Sequence, residues 1–385
     1  MGAPAGGAAA CDLPALQRCP LGHPQGDAGM RTILVAVDSR ATWSRALTVC
    51  EAIQRRKDLK LQLVLMGPAS HEPRPASLVP DVEIRISRPT GWSMARLTGE
   101  YVETLGLGLN IEQDRPDIVI SVTDRYESLA VAVAAALSNV HLAHIQGGEV
   151  SGGIDESMRH AITKLAHIHF PANVDSANRI ERMGEDPAYI FNVGCPATDL
   201  LLRVDVGEPP AQPYILVSYN PVTTISDAGN YAHMMAILGA CHPLIDRGYG
   251  LTVAAPNHDP GSDAVHDALN DTGTACEFSL PHTDFIRLMA NAAVMVGNSS
   301  AGIREACYFG TPVVDVGIRQ QARVCSANVL PVPEVTRKTV QTAIAFQLGG
   351  RYPPEQPFGN GGAGEKIAEL LATMELPPIQ KRIRY

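Results

Sequence analysis

The segment DIVISVTDRYESLAVAVAAALSNVHLAHI (residues 117–145) reads as strand, helix, strand. DIVISV (117–122) and HLAHI (141–145) are short apolar runs, and residues 126–138 between them carry apolar side chains at helical spacing. A strand without strict polar–apolar alternation is buried on both faces, which calls for a parallel sheet covered by helices on both sides. The same alternation extends outward from this segment. Upstream, TILVAV (32–37) and LQLVLM (61–66) read as strands, with helical patterns over 42–56 and 94–113. Downstream come helical patterns over 155–166 and 174–184 and a strand-like YIFNV (189–193). RVDVGEPPAQP (203–213) interrupts the pattern as a Pro-rich linker. The pattern then restarts with YILVSY (214–219), LTVAA (251–255), AVMVG (293–297) and PVVDV (312–316), separated by helical patterns over 228–247, 262–270, 282–291 and 300–308. The chain therefore reads as α/β: two Rossmann-like doubly wound domains in series. Ligands of such sheets sit beyond the carboxyl ends of the strands, here in the cleft between the domains.

The totals agree with two domains. The chain has 385 residues, 45% of them hydrophobic and 18% charged, an ordinary globular balance. A net charge of −9 argues against a nucleic-acid partner. It leaves room for a small anionic ligand, because a few arginines can focus positive potential in a cleft. No run approaches the ~18 consecutive apolar residues of a membrane span. The eight cysteines, at 11, 19, 50, 195, 241, 276, 307 and 325, include no C-x-x-C pair and sit mostly in apolar segments, which predicts reduced core thiols in a cytoplasmic protein. Residues 1–29 are rich in Gly, Ala and Pro and lack the basic start and apolar core of a signal peptide. They read as a disordered leader, or as sequence ahead of a true start at Met30.

Three segments can carry chemistry. VGNSSAGIREACYFGTP (296–312) ends a strand at Gly297 and opens a helix with Asn298, Ser299 and Ser300. Free N–H groups and hydroxyls there suit a diphosphate, and Glu305 further along suits ribose hydroxyls. Ser and Asn are also common N-caps, so the segment alone serves either reading. Asp124 and Arg125 directly follow the strand DIVISVT, where such folds present catalytic groups, although an N-cap and a surface cation would look the same. HIQGGEVSGGIDESMRHAITKLAHIHF (144–170) collects Glu149, Asp155, Glu156, Arg159 and His160 in a glycine-rich turn and the helix after it. Acids in a first helical turn are favoured by the macrodipole. Four glycines (147, 148, 152, 153) cost ordered backbone, and a closely approaching ligand would justify them. Acid, base and cation in one short segment suit proton transfer at a carbon beside a departing phosphate. FGNGGAGEK (358–366) lacks the GK[ST] of a P-loop. His167 and His169 have no accompanying ligand set at zinc spacing, so no metal is expected.

Taken together, HIQGGEVSGGIDESMRHAITKLAH, NPVTT (220–224), PN-x-D-x-GS (256–262), GNSSAGIREA (297–306) and FGTPVVDVGIRQ (309–320) resemble the UDP-N-acetylglucosamine 2-epimerases, most closely the hydrolysing, sialic-acid-type branch. The likeness runs in order from about residue 32 to 375. It implies a glycosyltransferase-B arrangement: a leader over 1–29, an N-terminal domain over 30–205, a nucleotide-binding domain over 206–360, and a helix in 361–385 returning to the first domain. It implies inversion at C2 through loss of UDP and a 2-acetamidoglucal. The glycal then takes up water, giving N-acetylmannosamine, or takes back UDP, giving UDP-N-acetylmannosamine. No cofactor or metal is implied, and a homodimer is. The product would feed sialic acid, a surface polysaccharide or an amino-sugar antibiotic.

Residue by residue, the resemblance implies that Asp124, Glu149, Asp155, Glu156 and His160 surround the sugar as the catalytic set. Ser299, Ser300 and Glu305 would hold diphosphate and ribose, with Arg125, Arg319, His282 and Phe285 completing the nucleotide site. Arg40, Gln146, Ser151, Arg159, Asn220 and Asn257 would also contact substrate. Three positions depart from the family pattern. NRAD-[YF]-S is SRATWS (39–44), so an acid becomes Thr42; HIEGGE becomes HIQGGE at Gln146; HPVTT becomes NPVTT at Asn220. Asn hydrogen-bonds but does not shuttle a proton at neutral pH. The departures leave two rivals to an epimerase: a nucleotide or nucleotide-sugar hydrolase that never inverts C2, and a non-catalytic nucleotide-sugar sensor.

Overall fold

The computed structural model describes residues 29–67, 69, 74–86, 93–109, 115–277 and 280–384, with backbone alone for Arg40, Ala41 and Leu107. Of the leader expected over 1–29, all but Gly29 lies outside the described residues. The first unit runs β1 (Arg31–Val37), α1 (Arg40–Arg55), β2 (Leu59–Met66), β3 (Val82–Ile84), α2 (Met94–Leu109), β4 (Ile118–Val122), α3 (Tyr126–Leu137), β5 (His141–Ile145), α4 (Asp155–Leu165) and β6 (Ile168–Phe170). Its strands are parallel in the order β3-β2-β1-β4-β5-β6. Helices α5 (Val174–Arg182) and α6 (Pro196–Leu201) lead to the second unit. That unit runs β7 (Tyr214–Ser218), α7 (Asp227–Ile245), β8 (Gly250–Val253), α8 (Ser262–Asp271), α9 (His282–Asn291), β9 (Val294–Gly297), α10 (Ser300–Arg304), β10 (Val313–Val316), β11 (Val329–Val332) and α11 (Arg337–Gln347). Its parallel order is β11-β10-β9-β7-β8. Both sheets are doubly wound, as the strand–helix alternation predicts.

The period of two along β1 explains why its run is apolar throughout. Ile33, Val35 and Val37 face one layer with Val49 and Ile53 of α1. Leu34 and Ala36 face the other with Leu97 and Tyr101 of α2 and Ala130 and Ala134 of α3. Each such buried aliphatic side chain contributes about 1.5–3 kcal/mol, so covering both faces is what stabilises a parallel sheet. The last helix, α12 (Ala363–Thr373), packs on the first unit: Ile367, Ala368 and Leu371 join the core under α1. Gly364 lets it come close, since a Cβ there would lie 2.6 Å from the Thr48 carbonyl oxygen. Asp199 accepts from the N–H groups of Ala363 (3.0 Å) and Gly364 (2.8 Å), capping the helix start.

Some local readings fail. YIFNV is not a strand: Pro187–Tyr189 is a 3-10 turn, and the stretch then meets β6 through a single bridge, His169 to Ile190. Its apolar character comes from Phe191 packing on Phe170 with ring centres 6.1 Å apart. The helix expected over 300–308 breaks at Glu305 into α10 and a 3-10 turn, Ala306–Phe309. β3, β11, α6 and α11 escape the periodicity because they are short or half-exposed.

The strand orders fix where a ligand can sit. The first sheet reverses direction between β1 and β4, the second between β7 and β9. Crevices open beyond the carboxyl ends at such points.

Candidate active site

The two crevices face one another and share a cavity of about 320 Å³. Ser39, Ser44, Arg45, Thr123, Asp124, Arg125 and Asp155 form its first-unit wall. Asn220, Asn257, His258, His266, His282, Phe285, Ser299, Ser300, Arg304, Glu305, Arg319, Gln320 and Arg323 are among the residues of the other.

The first wall is built on strained turns. β4 and β5 each end in a non-glycine residue with left-handed backbone, Thr123 (φ 68°) and Gln146 (φ 65°). Such residues cost roughly 1 kcal/mol or more and persist only when their surroundings hold them. His144 holds Thr123. Its Nε2 lies 2.7 Å from the Thr123 carbonyl oxygen, and its Nδ1 lies 3.2 Å from Thr163 Oγ1. A carbonyl only accepts, so Nε2 carries the proton and Thr163 donates to Nδ1. Burial pushes the pKa of His144 down to about 3, so the ring stays neutral in this one tautomer.

Asp124 follows directly. Arg159 Nε donates to it at 3.0 Å, a second Arg159 N–H reaches the same oxygen, and Arg323 Nη2 lies 3.8 Å away. Burial alone would raise the Asp124 pKa, but the Arg159 and Arg323 charges outweigh it and hold the carboxyl well below its usual range. Asp155, first residue of α4, goes the other way. Burial and the Asp124 charge raise its pKa, and Arg319, 3.9 Å away, offsets only part of that.

The glycine-rich turn has a different purpose from the one its sequence suggests. A Cβ on Gly148 would lie 2.3 Å from the Ser176 carbonyl oxygen, and one on Gly152 1.8 Å from that of Ile318. The glycines admit protein backbone, not a ligand. Gly152 N–H donates to the Arg319 carbonyl at 3.1 Å, tying the two units together.

Eleven of the residues expected at the site line the cavity: Asp124, Arg125, Asp155, Asn220, Asn257, His282, Phe285, Ser299, Ser300, Glu305 and Arg319. Gln146, Glu149, Ser151, Glu156, Arg159 and His160 are not on its walls. Glu149 is buried in ion pairs with Arg304 and with Arg323 (2.6 Å). Glu156 accepts from Ser151 N–H at 2.6 Å and Arg159 Nη1 at 3.0 Å, and lies 3.0 Å from His160 Nε2. Ser151 Oγ accepts from Arg159 at 3.0 Å. Gln146 Oε1 accepts from Arg45 (2.8 Å) and Arg304 (2.7 Å). These groups brace the wall from behind. The side chain of Arg40 lies outside the described residues.

Arg125 is a second correction. Asp38 (3.4 Å), Glu127 (3.1 Å) and Asp259 (3.1 Å) surround its guanidinium. Three carboxylates leave no net positive charge there for a phosphate, so Arg125 ties the walls together rather than clamping a nucleotide.

On the second wall, Asn298 locks the two switch-point loops: Asn220 N–H donates to its Oδ1 at 2.7 Å, and its Nδ2 donates to Asn220 O at 2.8 Å. Asn220 Oδ1 accepts from Asn257 N–H at 2.9 Å. Arg319 is braced on the Asn298 carbonyl at 3.2 Å. Glu305 is buried with Oε2 lacking a hydrogen-bond partner, 3.6 Å from His282 Nε2. Burial raises its pKa, but His282 and nearby arginines outweigh this and hold it low. Arg45, Arg304 and Arg323 were not singled out in the sequence. The signal was available: arginines inside apolar segments are buried only when paired. Among the described residues no cluster of three or more His, Cys, Asp or Glu could hold a metal, and no helix is long and apolar enough to cross a membrane.

Two parallel sheets with a shared cleft at their switch points define an enzyme of the glycosyltransferase-B type. The UDP-N-acetylglucosamine 2-epimerase family profile matches residues 51–372, and the chain belongs to that family. It is 31% identical over 372 residues to the UDP-N,N'-diacetylbacillosamine 2-epimerase (hydrolyzing) of Legionella pneumophila, covering 90% of this chain and 97% of that one. It is 29% identical to the UDP-N-acetylglucosamine 2-epimerase of Neisseria meningitidis serogroup B, covering 92% and 99%. The crystal structure of Methanocaldococcus jannaschii UDP-GlcNAc 2-epimerase in complex with UDP-GlcNAc and UDP shares the fold, with a TM-score of 0.74 at 17% identity over 88% of this chain and 99% of that one.

Proposed function

We propose that this chain converts UDP-N-acetylglucosamine to N-acetylmannosamine and UDP, with Asp155 as the base. The observation that carries the reading is one cavity holding two carboxylates whose ionisation is pushed apart, next to serines and an arginine suited to a diphosphate. Such a divergence assigns the roles: the raised group exchanges a proton and the depressed one stays charged. Asp155 takes the C2 proton. The C2–H electron pair becomes the C1–C2 double bond, the C1–O bond breaks, and UDP leaves with its electrons. Positive charge builds at C1 as it does so, and ionised Asp124 stabilises it. Ser299, Ser300 and Arg319 receive the departing diphosphate. Water then adds hydroxyl to C1 and a proton to the opposite face of C2. The hydrolysing branch is supported by the name of the Legionella pneumophila relative.

Asn220 and Gln146 are neutral where the family pattern has titratable groups, which favours the rival hydrolase without epimerisation. Proton NMR of UDP-N-acetylglucosamine with the enzyme in D2O separates the two. Deuterium at C2 of a manno product supports the proposal. UDP release without deuterium leaves the hydrolase. The same assay with UDP-N,N'-diacetylbacillosamine, named for the Legionella relative, tests the sugar.

A further inference from the structure

Position 42 is Thr where the family pattern has an acid, and the fold brings a carboxylate to its side from four residues upstream. Thr42 Oγ1 donates to Asp38 Oδ1 at 3.0 Å, and Ser128 Oγ donates to Asp38 Oδ2 at 3.0 Å. Asp38 ends β1 at the switch point and is 2% exposed. A charge so buried needs a partner, and the cation facing Asp38 is Arg125, 3.4 Å away. Glu127 holds the same guanidinium from α3, and its Nη2 reaches Asp259 of the second unit at 3.1 Å. Asp259 in turn accepts from Asn257 Nδ2 at 2.5 Å.

We propose that Asp38 is a positioning residue for closure of the cleft. It fixes Arg125 so that Arg125 meets Asp259 across the gap, and it supplies from position 38 the carboxylate that the family pattern carries at position 42. Thr42 can contribute the linking hydroxyl only because the acid has moved. Asp38 acts through Arg125 and touches no substrate atom, so its effect falls on how firmly the second wall is held.

The test uses the full chain and two readouts, of which only the kinetic one rests on the proposed activity. Asp38→Asn keeps the shape and removes a buried charge, so it should fold. Hydrogen exchange of the ligand-free protein, followed by mass spectrometry, should show protection of the second-unit segment 256–262 falling severalfold. The kcat/KM for UDP-N-acetylglucosamine should fall about 10-fold, the usual scale for a misplaced positioning group. Asp38→Asn/Thr42→Asp, with the acid returned to position 42, should recover both. Asp259→Asn breaks the same tie from the other side and should give the same kinetic loss. Unchanged exchange over 256–262 in Asp38→Asn overturns the proposal, as does a folded double variant that recovers nothing. A wild type inactive on UDP-N-acetylglucosamine would instead sink the functional reading, and the exchange measurement would still decide this one.

Discussion

Asp124 and Asp155 share one wall of the cleft, and their surroundings drive their carboxyls in opposite directions. Two arginines hold the first ionised, while burial and the first carboxylate raise the second. Asp155→Asn should therefore cut turnover by about 10²-fold or more, the usual weight of a general base. Glu156, its neighbour in sequence, is committed to Ser151, Arg159 and His160 behind the wall. Glu156→Gln should cost activity only through the placement of Arg159, and less than Asp155→Asn. UDP affinity should barely change in either. The check is steady-state kinetics beside calorimetry with UDP. Equal losses in the two variants would return Glu156 to the reacting centre.

Ser300→Ala with Glu305→Ala should weaken UDP binding by roughly 2–4 kcal/mol, the loss of two or three charge-assisted hydrogen bonds. Glu305 enters with an unsatisfied oxygen, so it has capacity to accept from a ribose. Calorimetry giving unchanged UDP affinity would remove the second wall from the nucleotide site.

Asp38 couples the cleft to stability. Burial, with help from Glu127, raises its pKa from 3.8 to about 7 in the folded chain. A raised acid contributes stability while it is protonated. That contribution is full below pH ~4, declines as the folded carboxyl ionises, and is gone above about pH 7. Asp38→Asn stays neutral at every pH. Its melting temperature should therefore exceed that of the wild type at pH 8 by several degrees, and the gap should close towards pH 4. A thermal series over that range checks it, and a constant gap would show that Asp38 does not titrate in the window.

The C-terminal segment makes a separate prediction. Lys381 Nζ donates to the carbonyls of Lys164 (2.8 Å) and Ala166 (2.5 Å) and to Glu185 (2.5 Å), where Glu185 is 3% exposed. Lys381→Met leaves a buried carboxylate with fewer partners and three carbonyls short of a donor. The loss should be about 2–4 kcal/mol, read as a lower denaturation midpoint with UDP affinity retained.

The fold was legible because the apolar runs at 32–37, 117–122, 214–219 and 293–297 sit on central strands, where burial on both faces forces an apolar residue at every step. Edge strands such as β3 and β11 carry a weaker demand and were silent. At the site, Asp124, Asp155, Ser299 and Ser300 could be named because each follows a strand end or opens a helix. Glu149, Glu156 and His160 looked equivalent to them in sequence. What separates the groups is which way each side chain turns from a loop packed against the other unit, as Gly152 is against Ile318. That packing has no local periodicity. Asp38 was invisible for the same reason, since its partner Arg125 lies 87 residues away and its partner's partner in the other unit.

Asn220→His tests the largest departure from the family pattern. Asn220 lines the cavity, and its Oδ1 accepts from Asn257 N–H at 2.9 Å. A neutral histidine can accept the same hydrogen bond through Nδ1, which puts its proton on Nε2 and presents a titratable donor to the cavity. The backbone lock to Asn298 uses only the N–H and C=O of position 220, so it survives the substitution. The variant should gain an ionisation between pH 6 and 7 in its rate profile, close to the ordinary histidine range. It should also change the ratio of free N-acetylmannosamine to UDP-linked product, because a new acid beside the diphosphate alters the contest between water and UDP for the glycal. Product analysis by NMR across pH measures both. A profile and ratio identical to wild type would mean that no proton passes through position 220, and that the chemistry rests on the Asp124–Asp155 wall alone.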